Sequence, residues 1–177
     1  MEVGDGAAVR GDASPLGRYA PDGDHRDVRQ VRLLGLPLRV LLAGREHHDG
    51  VMREFRLLAL AGAQPGKDVP VRLVELTEIL GQRYGPARER PDKEIDEALD
   101  RGEDTLDLVY EVPPDIAEGA ARLEELMAEA DAFCAAEKMM SRERPPTIQR
   151  FAQWYLAQFV TQIAGGEPTR WDGPLDL

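Results

Sequence analysis

Cysteine is nearly absent. The single Cys134 in 177 residues excludes an internal disulfide framework and a cysteine-rich zinc site, and it fits a reducing, cytoplasmic setting. Aromatic residues make up only 6% of the chain, so the core has to be built mainly from Leu, Val, Ile and Ala. No apolar run approaches the ~20 residues of a membrane span. The opening stretch MEVGDGAAVRGDASPLG has no apolar centre that could serve a signal peptide. Walker and GxGxxG motifs are missing, and the glycine-rich GDGAAVRG and AGAQPGK lack the preceding strand or the spacing that cradles phosphate. Neither serine, Ser14 or Ser141, has a GxSxG setting. Cys134 falls on the buried face of an acidic helix, where burial raises a thiol's pKa and suppresses the thiolate. These absences point away from an enzyme and imply no cofactor.

Charge is present in quantity and is one-sided. The chain carries a net charge of −11 with 31% charged residues, which opposes nucleic-acid binding because phosphate contacts need clustered Lys and Arg. Between Asp92 and Glu143 stand 17 acidic and 5 basic residues, a net of −12, while the remainder carries +1. Long amphipathic helices with Glu on their wet faces account for such a bias. That is the commoner cause; the sharper alternative is a docking surface for a basic partner, since a single-sign surface steers association.

Hydrophobic periodicity divides the chain into a tail and one domain. Residues 1–27 are rich in Gly, Asp, Ala, Pro and Arg without periodicity, the composition of a disordered tail. Residues 28–171 are expected to form a single helical domain, and 172–177 a C-terminal tail. Helices are predicted from Pro37 to about Leu60, Val69 to about Tyr84, Ala87 to about Arg101, Asp115 to about Met140, and Thr147 to about Ala164. Pro and Gly mark most of the boundaries. In the first, Leu41, Gly44, His48, Met52 and Phe55 recur at three- and four-residue steps, with Val51 and Leu58 widening the stripe. Gly44 there suggests a close helix crossing. TLDLVYEV, Thr105–Val112, alternates with a period of two, and a strand needs a partner for its backbone groups. The available partner is 29–34. The expected fold is mainly α: a bundle of four to five helices with a two-stranded β ribbon joining 29–34 to 105–112.

Glu46-His47-His48-Asp49 is the one motif that suggests metal chemistry. Helical ligation wants residues three or four apart on one face. Adjacent residues lie about 100° apart around the axis, so His47 and His48 are not expected to serve one site. The remaining histidine, His25, lies in the tail. His48 is therefore read as a packed seam residue and His47 as its flank, with a metal or small-molecule site centred on His48 as the alternative. In the last helix Phe151, Trp154, Tyr155 and Phe159 form the densest aromatic group. At helical spacing such a group is usually core; Trp154 and Tyr155 are adjacent, however, so at least one is off the centre of the buried stripe, and the alternative to core packing is an anchor for a protein partner.

The segments LLGLPLRVLLAGREHHDGVMREFRLLAL, TLDLVYEVPPDIAEGAARLEELMAEADAFC and RFAQWYLAQFVTQIAGG resemble a family of small actinobacterial helical proteins of unassigned activity. The resemblance lies in the LGLP lead-in, the EHHD…REF helix, the YEVPP turn and the FxxWYLxxF helix, and it spans Val31 to about Trp171. Members of that family are encoded beside partner-switching regulators: SpoIIE-type phosphatases, anti-sigma-factor kinases and STAS-domain antagonists. The resemblance implies a role in sigma-factor signalling by association. Together with the charge, it leads to the expectation of a non-enzymatic regulator that binds a protein such as an anti-sigma factor, phosphatase or sigma factor, alone or as a homo-oligomer. Its expected contacts are Glu94, Asp96, Glu97, Asp100, Glu118, Glu124, Glu125, Glu129, Trp154 and Tyr155.

Overall fold

The computed structural model describes residues 27–60, 69–137 and 144–176. Its elements run β1 (Arg29–Pro37), α1 (Leu38–Leu60), α2 (Val69–Tyr84), a 3₁₀ turn (Pro86–Arg88), α3 (Glu89–Asp100), β2 (Thr105–Val112), α4 (Ile116–Glu137) and α5 (Pro146–Ile163). The fold is mainly α, with five helices and one two-stranded antiparallel ribbon, as the patterning predicts. The N-terminal tail, apart from Asp27, and the end of the fourth predicted helix toward Met140 lie outside the described residues.

The ribbon pairs Val31 with Tyr110 and Leu33 with Leu108. Leu33 and Leu36 stand three apart, so a regular pleat would send them to opposite faces. The register shift between Leu33 and Leu36, which pairs Leu36 with Leu106, inserts one extra residue in β1, and both leucines end on the buried face. Gly35 in this bulge has φ +67°, a conformation glycine adopts without steric penalty. Its N–H donates to Asp107 Oδ1 at 2.6 Å. The strand reaches Pro37, which pairs with Thr105 rather than opening the helix, and Leu38 N–H donates to the Asp104 carbonyl at 3.0 Å.

The helix ends follow the glycine signals. Gly102 (φ +71°) and Gly165 (φ +90°) each close a Schellman motif. In the first, Gly102 N–H donates to Leu99 and Glu103 N–H to Ala98; in the second, Gly165 donates to Gln162 and Gly166 to Thr161. The third helix begins at Glu89 rather than Ala87, because Pro86–Arg88 winds as a 3₁₀ turn. Pro91 then sits in the first helical turn, where its missing N–H is harmless. Leu58 is 38% exposed and does not belong to the buried stripe expected of α1.

Helices α1, α2, α4 and α5 form a closed ring, each packed on two neighbours: α1 on α2, α2 on α4, α4 on α5, and α5 on α1. The diagonal pairs, α1 with α4 and α2 with α5, make few or no contacts. Gly44 lies at the α1–α5 crossing, where a Cβ would stand 3.6 Å from Ile148 Cγ2. One core cluster joins the ribbon to α5 and includes Leu33, Leu36, Leu108, Tyr110, Phe151 and Phe159. A second joins α1, α2 and α4 through Val51, Met52, Phe55, Leu73, Leu76 and Leu126.

The chain then folds back across the ribbon. Gln162 on α5 accepts from Arg32 N–H at 2.9 Å and donates to the Arg32 carbonyl at 2.8 Å, which satisfies the outer edge of β1 as a strand would. Buried Gln158 holds Thr169 through two hydrogen bonds. Trp171 N–H donates to the Leu34 carbonyl at 2.9 Å. Its ring is 6% exposed and packs on Phe151 and Trp154 with centroids 5.8 and 5.5 Å away. Trp171→Ala is expected to destabilise the fold by about 3–5 kcal/mol, read as a lower urea midpoint with an unchanged slope.

Candidate functional site

The open diagonals leave a cavity of about 580 Å³ at the centre of the ring. All four ring helices line it, joined by the 3₁₀ turn, by Tyr110 and Val112 of β2, and by Arg144. Small residues make the room: Gly44 on α1, Ala120 on α4 and Ala152 on α5 all face it. Its walls are mainly apolar, with Leu41, Val51, Met52, Leu73, Leu80, Leu123, Met127 and Leu156 among them. Asp49, Arg56, Gly81 and Arg88 line it and are also solvent-exposed, so they mark its mouth.

Polar groups enter at four places. Arg144 and Asp131 form an ion pair, Nη2 to Oδ2 2.6 Å and Nε to Oδ2 2.8 Å, with the Arg144 side chain 7% exposed. His47 and His48 both line the cavity. The expectation for adjacent residues concerned a shared metal site, and lining a broad cavity is a looser requirement. The cavity is broad enough to embrace more than 100° of α1, from Arg45 through His48 to Met52. Burial lowers the pKa of each histidine; Asp131 opposes this at His47 and Asp49 at His48, while Arg144 acts with it at His47 and His47, Arg56 and Arg88 act with it at His48. On α2, Thr77 Oγ1 is buried without a hydrogen-bond partner among the described residues. Tyr84 lies beside the Arg83–Asp115 ion pair, and burial, reinforced by Asp115, pushes its hydroxyl up to about 12.

The fourth group is a pair of phenols. Tyr155 and Tyr110 hydroxyls lie 2.9 Å apart, with the two rings in edge contact at 6.3 Å. Burial raises the pKa of both, that of Tyr155 well above the usual tyrosine range. Beside them Arg45 donates to Asp92 at 2.6 Å, and Arg88 approaches the other Asp92 oxygen at 3.8 Å.

The residues singled out in the sequence are dispersed. Asp96, Glu97, Asp100, Glu118 and Glu125 are exposed, and Glu94, Glu124 and Glu129 are half-buried. Several are neutralised locally: Glu94 by Arg90 at 2.7 Å, Glu97 by Lys93 at 3.7 Å, Glu125 by Arg122 at 2.6 Å and Glu129 by Arg72 at 3.1 Å. They sit on α3, which packs on β2 and the 3₁₀ turn, and on α4, which packs on α2 and α5. Trp154 is half-buried, and its indole N–H donates to the Thr169 carbonyl at 3.1 Å. Tyr155 turns toward Tyr110 and the cavity. Cys134 is buried in the second core cluster, and burial pushes its thiol up to about 11.

Among the described residues, no group of three or more His, Cys, Asp and Glu is placed to hold a metal ion, and no helix is long and apolar enough to cross a membrane. No protein-family model, curated protein or solved structure matches this chain.

A histidine whose pKa is depressed in the fold binds its proton more tightly when the chain is unfolded. Its neutral form supports stability fully above the unfolded pKa of about 6.5, and that support is lost as pH falls through it. The urea midpoint is therefore expected to drop between about pH 7.5 and 5.5. His47→Gln combined with His48→Gln should flatten that slope.

Proposed function

We propose that this protein is a binding protein for a small apolar molecule, held in the cavity at the centre of the helical ring. The observation that carries this reading is the cavity itself. At about 580 Å³ it falls within the roughly 300–1,000 Å³ of small-molecule sites, and it has their usual character: apolar walls with a few placed polar groups. Apolar walls of this extent facing water favour an apolar occupant. His48 belongs to this site as one wall of it, and Thr77 Oγ1 offers a second polar point. The chemistry is that of holding a ligand, and no group in the cavity is arranged as a nucleophile with its base. Cys134, which burial keeps protonated, suits a cytoplasmic setting.

The neutral fluorophore N-phenyl-1-naphthylamine is a direct probe. It should bind saturably at one molecule per chain and raise the melting temperature. Ala152→Trp, which places an indole where the cavity lies, should abolish that binding while the far-UV circular dichroism stays the same. Absence of saturable binding in the unmodified protein would sink the reading.

A second reading is a regulator that docks a basic protein, such as a component of sigma-factor signalling, on its acidic residues. It is favoured by exposed Asp96, Asp100 and Glu118, which make no ion pair among the described residues. Such docking should weaken steeply as ionic strength rises. A partner captured from the native cell whose affinity ignores salt would refute it.

A further inference from the structure

Two hydroxyls bonded to each other leave a remainder. In an O–H···O–H pair one proton bridges the two oxygens, and the second O–H has to find another acceptor. Tyr110 and Tyr155 are such a pair, and among the described residues neither hydroxyl makes any other hydrogen bond. Tyr110 is 3% exposed and both residues line the cavity, so the acceptor for the spare donor comes from whatever occupies the cavity. A ligand that supplies one takes the place of water there.

The charge around the pair selects the kind of acceptor. Arg45 and Arg88 both bear on the two hydroxyls, and both line the cavity. The carboxylate between them, Asp92, is shared: 2.6 Å from Arg45 and 3.8 Å from Arg88. Two guanidinium groups against one carboxylate leave one positive charge and several unused N–H donors at this wall. Arg56 and Arg144, elsewhere in the lining, are each matched by a carboxylate, Glu78 at 3.8 Å and Asp131 at 2.6 Å, so only the Arg45–Arg88 wall has more guanidinium groups than carboxylates bonded to them. Arg88 is exposed at the mouth, so the headgroup wall lies near the entrance and the apolar volume lies beyond it.

From this we infer that the cavity takes an apolar carboxylic acid. Its carboxylate accepts the spare O–H of the Tyr110–Tyr155 pair and lies against Arg45 and Arg88, and its hydrocarbon part fills the space among Leu73, Met52 and Leu123. The inference rests on the cavity reading above and adds the ligand's class and orientation. Tyr110→Phe or Tyr155→Phe alone removes one hydroxyl but leaves the other with its proton free to donate, so each single change should weaken binding only a fewfold. The double change removes the donor altogether. Because both partners go together, the fold is expected to tolerate it.

Decanoate and 1-decanol, titrated calorimetrically at pH 7.5, separate the possibilities. Decanoate is expected to bind one per chain and on the order of 10-fold more tightly than decanol, the equivalent of one charge-assisted hydrogen bond. Tyr110→Phe/Tyr155→Phe should weaken both compounds, because each supplies an acceptor oxygen, whereas Arg45→Gln should reduce the preference for decanoate and leave decanol binding unchanged. Equal affinity for decanoate and decanol, a preference that Arg45→Gln does not reduce, or decanoate binding that the double tyrosine change leaves unaltered overturns the carboxylate assignment and leaves the cavity reading standing. Failure of both compounds and of N-phenyl-1-naphthylamine to bind overturns the two together.

Discussion

Four long helices close into a ring only if each packs on two neighbours, and the width of the middle is then set by what the diagonals bring. Here the α1–α4 and α2–α5 diagonals bring little contact, because glycine and alanine occupy inward places where leucine would have filled the space. The perimeter carries the stability. Phe55, Met52, Leu73, Leu76 and Leu126 join three of the helices at one end, and the ribbon with α5 joins the other. Dense packing at two ends around an open middle is the arrangement of a container. The polar groups inside it belong to the same geometry: Tyr110 is presented by β2, Tyr155 by α5, the two histidines by α1 and Asp131 by α4, while Arg144 reaches Asp131 from the segment just before α5.

The architecture was legible in the sequence where periodicity was strong. Alternating Leu106, Leu108, Tyr110 and Val112 announced a strand, and the need for a partner pointed to residues near Val31. Gly102 and Gly165-Gly166 marked helix ends because the left-handed conformation there suits glycine alone. What escaped was of two kinds. The bulge at Gly35 and the 3₁₀ turn at Pro86–Arg88 are departures from ideal periods, and period-based reasoning smooths over them. The cavity escaped for a deeper reason: volume belongs to the distance between helices, and no single helix encodes it.

Individual residues show the same limit. His47 and His48 were weighed as ligands of one metal site, and the breadth of a cavity that takes in both was not legible from their spacing on α1. Trp154 and Tyr155 stood out as an adjacent aromatic pair at the margin of a buried stripe. That margin turned out to be covered from two directions, by the returning C-terminal segment at Trp154 and by Tyr110 at Tyr155. The partner in each case lies far along the chain or on another element. The acidic bias was plain in composition, yet its placement on α3 and α4, with local arginine and lysine neighbours, was not.

The strap at Arg170 and Trp171, which bonds to the bulge in β1, orders events in time as well as in space. Residue Leu34 is made early in synthesis, and its carbonyl waits for an N–H made some 137 positions later. The ribbon itself waits for β2. The ribbon needs the chain as far as Val112 and the strap needs it as far as Trp171, and such distant pairings slow folding. The α1–α2 pairing can therefore form before the ribbon and the ribbon before the strap, so the wall that α5 gives the cavity is fixed last.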